Sequence, residues 1–142
     1  AGYESRDELD GASDLKARIE AIRLAVGERM NLGDVREKSV PKMMLVAPPR
    51  DGGAVTVRSF IPHRAHASIG VLGAVSVATA CLIEGSPAAQ VASIPGGARK
   101  TLSVEHPTGE MSCVMETDAD GQVTSAAILR TARKLMDGEI FA

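Results

Sequence analysis

Residues 60–83, FIPHRAHASIGVLGAVSVATACLI, constrain this chain more than any other segment. His63, Arg64 and His66 stand just ahead of a run, 67–83, that carries no charged residue. The pattern predicts a helix apolar on every side, and such a helix must be buried all round. Gly70 and Gly73 fall in its first turns. The first backbone N–H groups of a helix lack intrahelical partners and carry the positive end of its dipole. Glycines there admit a ligand close to the backbone. A carboxylate or phosphate is then the natural guest, and the cationic side chains upstream add to the pull. The same residues also fit plain tight packing after a solvated turn, and the pattern alone leaves both readings open.

The run is too short to cross a membrane, which takes about 18–20 apolar residues, so a buried helix inside a β-rich domain is expected. A chain of 142 residues is one ordinary domain with room for a real core. Net charge is −2, and Tyr3, Phe60 and Phe141 are its only aromatics, so no cationic, stacking footprint for nucleic acid exists. The two cysteines, Cys81 and Cys113, make no disulfide framework and point to a reduced, cytoplasmic setting. No signal peptide is expected, because no basic segment followed by an apolar one opens the sequence.

Leu15, Ile19, Ile22, Val26 and Met30 recur at spacings of four and three, which predicts an amphipathic helix over 13–32. Ser13 suits its N-cap and Gly33 its C-terminal stop. Lys16, Glu20, Arg23 and Arg29 are expected on its solvated face, and its role is to cover the outside of a sheet. Strands are expected at 43–47, after Pro41, and at 54–61, after the turn Asp51-Gly52-Gly53. Further strands are expected at 90–94, 100–105 and 111–117, set apart by proline and glycine turns. Propensity favours a helix in the tail, SAAILRTARKLM, with two short strands around Thr131 as the alternative. One all-apolar helix between strands implies an α+β fold rather than a doubly wound parallel sheet.

His63-x-x-His66 is too short for a helical metal-binding pair, and no cysteine or carboxylate stands at ligand spacing, so no metal is expected. No G-x-S-x-G elbow supports Ser68 or Ser76 as a nucleophile. A thiol in the apolar run, Cys81, is expected to be inert. Lys42, at the mouth of a buried strand after Pro41, either snorkels to water or lends a charge to a ligand.

S-V-P-K-M at 39–43 and V-R-S-F-I-P-H-R-A-H-A-S-I-G-V-L-G-A-V-S-V-A-T-A at 57–80 resemble the PrpF family of isomerases. S-V-E-H-P-T-G at 103–109 and L-R-T-A-R-K-L at 129–135 continue the likeness over nearly the whole chain. The family groups 4-oxalomesaconate tautomerases with 2-methylaconitate and 2-methylitaconate isomerases, and is similar in fold to diaminopimelate epimerase. The resemblance implies two lobes, each a mixed β-sheet curled around one central helix, with the active site where the two helix starts meet. Residues 1–142 would be the C-terminal lobe alone, and the tail would then be strands.

In the epimerase a cysteine opens the central helix of this lobe; placed on that motif, Gly70 stands at the cysteine and His66 at a glutamate. Ser39-Val40-Pro41-Lys42 falls on a segment that lines the epimerase's substrate site. This lobe therefore lacks the epimerase's thiol, and the lysine and cysteine credited with proton transfer in PrpF-like enzymes belong to the other lobe. The implied reaction is a 1,3-allylic proton shift in an unsaturated di- or tricarboxylate, without cofactor. The resemblance implies a substrate site of Ser68 and the amides of Ile69 and Gly70, with Lys42, His63, Arg64 and His66 around it. His66 is also a candidate proton relay. The expected partners are the polycarboxylate and the missing lobe. Alternatively, the lone lobe is a silent carboxylate-binding or dimerisation module, whose exposed inner face would favour self-association.

Overall fold

The computed structural model describes residues 5–139. Its elements are α1 (Arg6–Gly11), α2 (Ser13–Arg29), β1 (Met43–Ala47), β2 (Val55–Phe60), α3 (Val71–Cys81), β3 (Arg99–His106), β4 (Gly109–Thr117) and β5 (Val123–Ile128). The five strands form one mixed sheet in the order β1-β2-β3-β4-β5. Two antiparallel ribbons, β1-β2 and β3-β4-β5, meet along a parallel seam at Val55↔Val104 and Thr56↔Glu105. α3 is the crossover that makes this parallel join possible.

Side chains alternate across β1. Met44 and Val46 face the main core with α3, whereas Met43 and Leu45 face the opposite layer. Val55 and Val57 of β2, Leu102 and Val104 of β3, and Cys113 and Met115 of β4 pack against Ala74, Val77, Ala78 and Cys81 of α3. On the other face, Leu9 of α1 and Ile19 of α2 bury Phe60 and Ala65. The α+β class, with a mixed sheet over a central helix and a further helix near the N-terminus, is thus as expected.

Several local readings need correction. α3 spans Val71–Cys81 rather than 67–83, and it is buried on one side only. Leu72 is 82% exposed, and with Gly73, Ser76 and Ala80 it borders an apolar groove of about 690 Å³ against Met44 and Val46. The five strands cover one flank of the helix, so its apolar outer stripe has no cover within the described residues.

Ser13 is the first helical residue of α2, not its cap; Ala12 precedes it without a side-chain capping bond. The helix ends at Arg29, and Asn31 as well as Gly33 takes a left-handed conformation. Ile22 and Met30 of the expected apolar stripe lie in solvent. Arg23, expected on the solvated face, is 0% exposed. The reason is the segment 33–40, which folds back over α2. Gly27 permits this, because a Cβ there would stand 2.7 Å from Val35 Cγ2.

Residues 90–94 are not a strand: 90–91 belong to a turn and 92–94 have no regular structure. In the tail, 123–128 is a strand despite its helix formers, because pairing with β4 overrides local propensity. Among the described residues no second strand follows it: 129–139 has no regular structure, and Leu135 and Met136 are each 88% exposed. No helix among the described residues is long and apolar enough to cross a membrane.

Candidate functional site

The loop between β2 and α3 is shaped from both ends. His66 N donates to Ser59 O at 2.8 Å and Ile61 N to Arg64 O at 3.0 Å, which closes a tight turn over 61–64. Asp10, at the end of α1, accepts the Ala65 amide at 2.7 Å. The turn therefore projects His63 and Arg64 outward while Ala65 is buried.

Beyond it, Gly70 caps α3 in an extended conformation, with no side-chain capping bond. Ala74 N donates to Gly70 O at 2.9 Å, so the helix ladder begins here. The amides ahead of it are the ones a helix leaves without intrahelical partners. The space before Gly70 is open, with no heavy atom within 4 Å of where a Cβ would sit. Its φ of −75° is ordinary, so a larger residue fits the fold there and would obstruct only a ligand.

The expected site residues divide into three places. His66, Ser68, Ile69 and Gly70 stand together at the helix start. His66 Nδ1 lies 3.2 Å from Ser68 N, 3.3 Å from Ser68 Oγ and 3.0 Å from Ser68 O, so it accepts the amide proton or donates to the carbonyl according to which ring nitrogen is protonated. Ile69 turns its side chain into the core, which leaves its backbone as the useful part. Arg64 lies beside His66 along a depression that Arg6, Ile61 and Ala67 also line. His63 turns away: its Nδ1 lies 3.6 Å from Glu20 Oε2 of α2. Lys42 is exposed at the rim of the apolar groove, next to Met44 and across from Leu72 and Gly73.

The hairpin between β3 and β4 brings two residues that the sequence reading did not place in the site. Thr108 Oγ1 donates to Ala67 O at 3.0 Å, and His106 Nδ1 lies 3.4 Å from Thr108 N. Burial, then the neighbouring charges of Arg58 and His66, push His106 below the usual histidine range, against a hydrogen bond with the Glu110 backbone and the charge of its carboxylate. The signal was present: His-x-Ser at 66–68 and His-x-Thr at 106–108 repeat one spacing.

The thiols are poor nucleophiles. Burial pushes Cys81 up to about 11 and raises Cys113 as well. Among the described residues, no group of three or more histidine, cysteine, aspartate or glutamate side chains is placed to hold a metal.

A mixed sheet over a central helix, with that helix's start open beside histidines and hydroxyls, defines a lobe of the diaminopimelate epimerase-like class. The solved structure of a methylitaconate Δ-isomerase superposes on 97% of this chain and 40% of its own, with a TM-score of 0.82 at 24% identity. Residues 1–142 match the family described as PrpF protein, and the chain belongs to that family. It is 81% identical over 140 residues to the (4E)-oxalomesaconate Δ-isomerase of Novosphingobium sp. strain KA1, covering 99% of this chain and 39% of that protein. It is 57% identical over 139 residues to the 4-oxalomesaconate tautomerase of Pseudomonas putida, covering 98% and 38%. The chain thus spans about two fifths of the length of the curated relatives it matches.

Proposed function

We propose that this chain is the C-terminal lobe of an isomerase that carries out a 1,3-allylic proton shift on an unsaturated di- or tricarboxylate. Its substrate is 4-oxalomesaconate, with 2-methylaconitate and 2-methylitaconate as the near variants. The names of the relatives at 81% and 57% identity support the first choice. The observation that carries the reading is the uncapped start of α3, open at Gly70 and flanked by His66 and Ser68.

In such a reaction a base removes a proton next to a carboxylate, the pair spreads as a dienolate, and an acid returns a proton two carbons away. The obstacle is the charge that develops on oxygen. Preorganised N–H donors in a water-poor cleft lower that barrier, often by a few kcal/mol per donor. Here the amides at the start of α3 and the Ser68 hydroxyl bind and orient one carboxylate. Arg64 adds long-range attraction, and Lys42 meets a second carboxylate only if the substrate reaches the groove. The groups that move the proton belong to the other lobe, with His66 as the relay candidate on this side.

Joining this chain to the remaining part of the Pseudomonas tautomerase tests the reading. In deuterated water, 4-oxalomesaconate should gain deuterium at the allylic carbon, and Gly70→Val should abolish the exchange while the protein stays folded. A joined protein that folds and exchanges nothing sinks the assignment.

The bare flank of α3 favours a second reading, a silent module that pairs with another copy through the apolar groove. The two readings part on whether the chain needs the other lobe or itself.

A further inference from the structure

The loop that leads into α3 is pinned at two points by side chains far away in sequence. The Asp10 carboxylate, at the end of α1, accepts the Ala65 N–H at 2.7 Å across 55 positions. The Thr108 hydroxyl, in the β3–β4 hairpin, donates to Ala67 O at 3.0 Å across 41 positions. One tie holds a backbone N–H and the other a backbone C=O, two residues apart. Beyond them, the backbone of 67–69 forms no hydrogen bond with other backbone groups among the described residues. Ile69 anchors that stretch through its buried side chain. Ordering a backbone costs conformational entropy, so a stretch outside any ladder depends on such ties for its shape. The Ala67 carbonyl also shares a peptide unit with the Ser68 N–H. Because that unit is planar, the Thr108 bond fixes the direction of the Ser68 amide as well.

We propose that Asp10 and Thr108 are positioning residues of the isomerase site: they hold 65–70 in the shape that keeps the amides ahead of α3 open to a carboxylate before any ligand arrives. The inference rests on the polycarboxylate reading above and adds to it the residues that shape the binding loop. Neither side chain need touch the ligand. Donors fixed in advance spare the ligand the entropy of ordering them, so the two bonds count in affinity more than in the stability of the fold. Thr108 is exposed and lies outside the core, which fits that division. Asp10 acts as an acceptor rather than as a charge. Its Oδ2 lies 3.6 Å from Arg6 Nε, too far for a hydrogen bond, while Oδ1 holds the loop.

The test uses trans-aconitate, a stable unsaturated tricarboxylate, titrated into the 142-residue chain by calorimetry with the backbone amide resonances followed by NMR. In the unmodified chain, the amides of Ser68, Ile69 and Gly70 should shift with the titration. Thr108→Val keeps the shape and removes the donor, so affinity should fall about threefold to tenfold. Thr108→Ser keeps the hydroxyl and should bind nearly as the unmodified chain does. Asp10→Ala should weaken binding by a similar factor, whereas Asp10→Asn keeps an oxygen for the Ala65 amide and should retain most of it. In Thr108→Val the urea midpoint should stay in place, while nitrogen relaxation should show the amides of 68–70 more mobile. If Thr108→Val or Asp10→Ala binds as tightly as the unmodified chain, that residue has no part in the site although the site stands. If Thr108→Ser and Asp10→Asn lose as much as the valine and alanine variants, the hydrogen bonds do not position the loop and the proposal is overturned. It is overturned equally if affinity falls only in step with the urea midpoint, which is what a merely structural role predicts. If the unmodified chain binds no trans-aconitate, the carboxylate reading and this inference fail together.

Discussion

Glu105 shows how much one side chain fixes here. It is 5% exposed, and burial alone would raise its pKa. The Thr56 hydroxyl at 2.5 Å and the amides of Arg50, Asp51 and Gly53 at 2.7–2.9 Å more than offset that and hold it at about 2. Gly53 is required for the approach, since a Cβ there would come within 2.8 Å of the carboxylate. The folded pKa lies below the unfolded one, so this stabilisation is full above about 4.5 and is lost as pH falls towards 2. Glu105→Gln should lower unfolding free energy by about 2–3 kcal/mol at pH 7. In urea titrations the gap from the native chain should close between pH 4.5 and 2; a gap constant across that window would refute the linkage. None of this was legible in the sequence, where Glu105 is one charged residue in a strand whose partners lie about 50 positions upstream.

Among the elements, α2 was legible as a helix and illegible in its facing. Periodicity found its start and ran three residues past its end at Arg29, and it assigned Arg23 to water because charge is read as exposure when tertiary partners are unknown. Arg23 is held by the carbonyls of Val35, Lys38 and Val40 at 2.8–3.0 Å and by both oxygens of Glu20. It thereby fastens the segment that leads into Lys42 and β1. Arg23→Ala should cost about 3 kcal/mol in thermal or urea unfolding, because the carbonyls and Glu20 lose a buried partner. Arg23→Lys should recover less than half of that, since one ammonium does not reproduce a planar fork. Full recovery by lysine would mean that only the charge matters.

The four strands read correctly from alternation and turn residues, β1 to β4, are those with apolar residues on a buried face. α1 was missed although Ser5-x-x-Glu8 is a capping box, with Glu8 N donating to Ser5 Oγ and Ser5 N to Glu8 Oε2. The expected strand at 90–94 failed because an apolar run bounded by turns describes a coil packed on the core equally well. Of the candidate site, the segment 66–70 was legible from its glycine, its histidine and the absence of charge beyond. His63 was misread as a neighbour because sequence adjacency does not show which way a turn points its side chains.

For the whole molecule, the decisive feature is the uncovered flank of α3. Along it runs a groove of about 690 Å³ lined mainly by apolar side chains, among them Val40, Pro41, Met44, Leu72 and Ala80. Leu72→Lys should leave the unfolding free energy of this chain within about 0.5 kcal/mol, because the side chain it replaces is already in solvent. The same change should suppress concentration-dependent association in sedimentation and, on the two-lobe proposal, should block productive assembly with the other lobe. A loss of several kcal/mol in the monomer would place Leu72 inside its core instead.

The sheet also has a built-in parting line. The β1-β2 ribbon meets the β3-β4-β5 ribbon at only two aligned pairs, and the bonds to Glu105 span that join. Strain applied to the protein should therefore not spread evenly: one ribbon lifts away whole, taking Lys42 with it, while His106 and the hairpin at Thr108 remain on the other. A ligand that spans both ribbons would act as a suture across that join, and amide protons along Val55 and Val104 would exchange more slowly once it is bound.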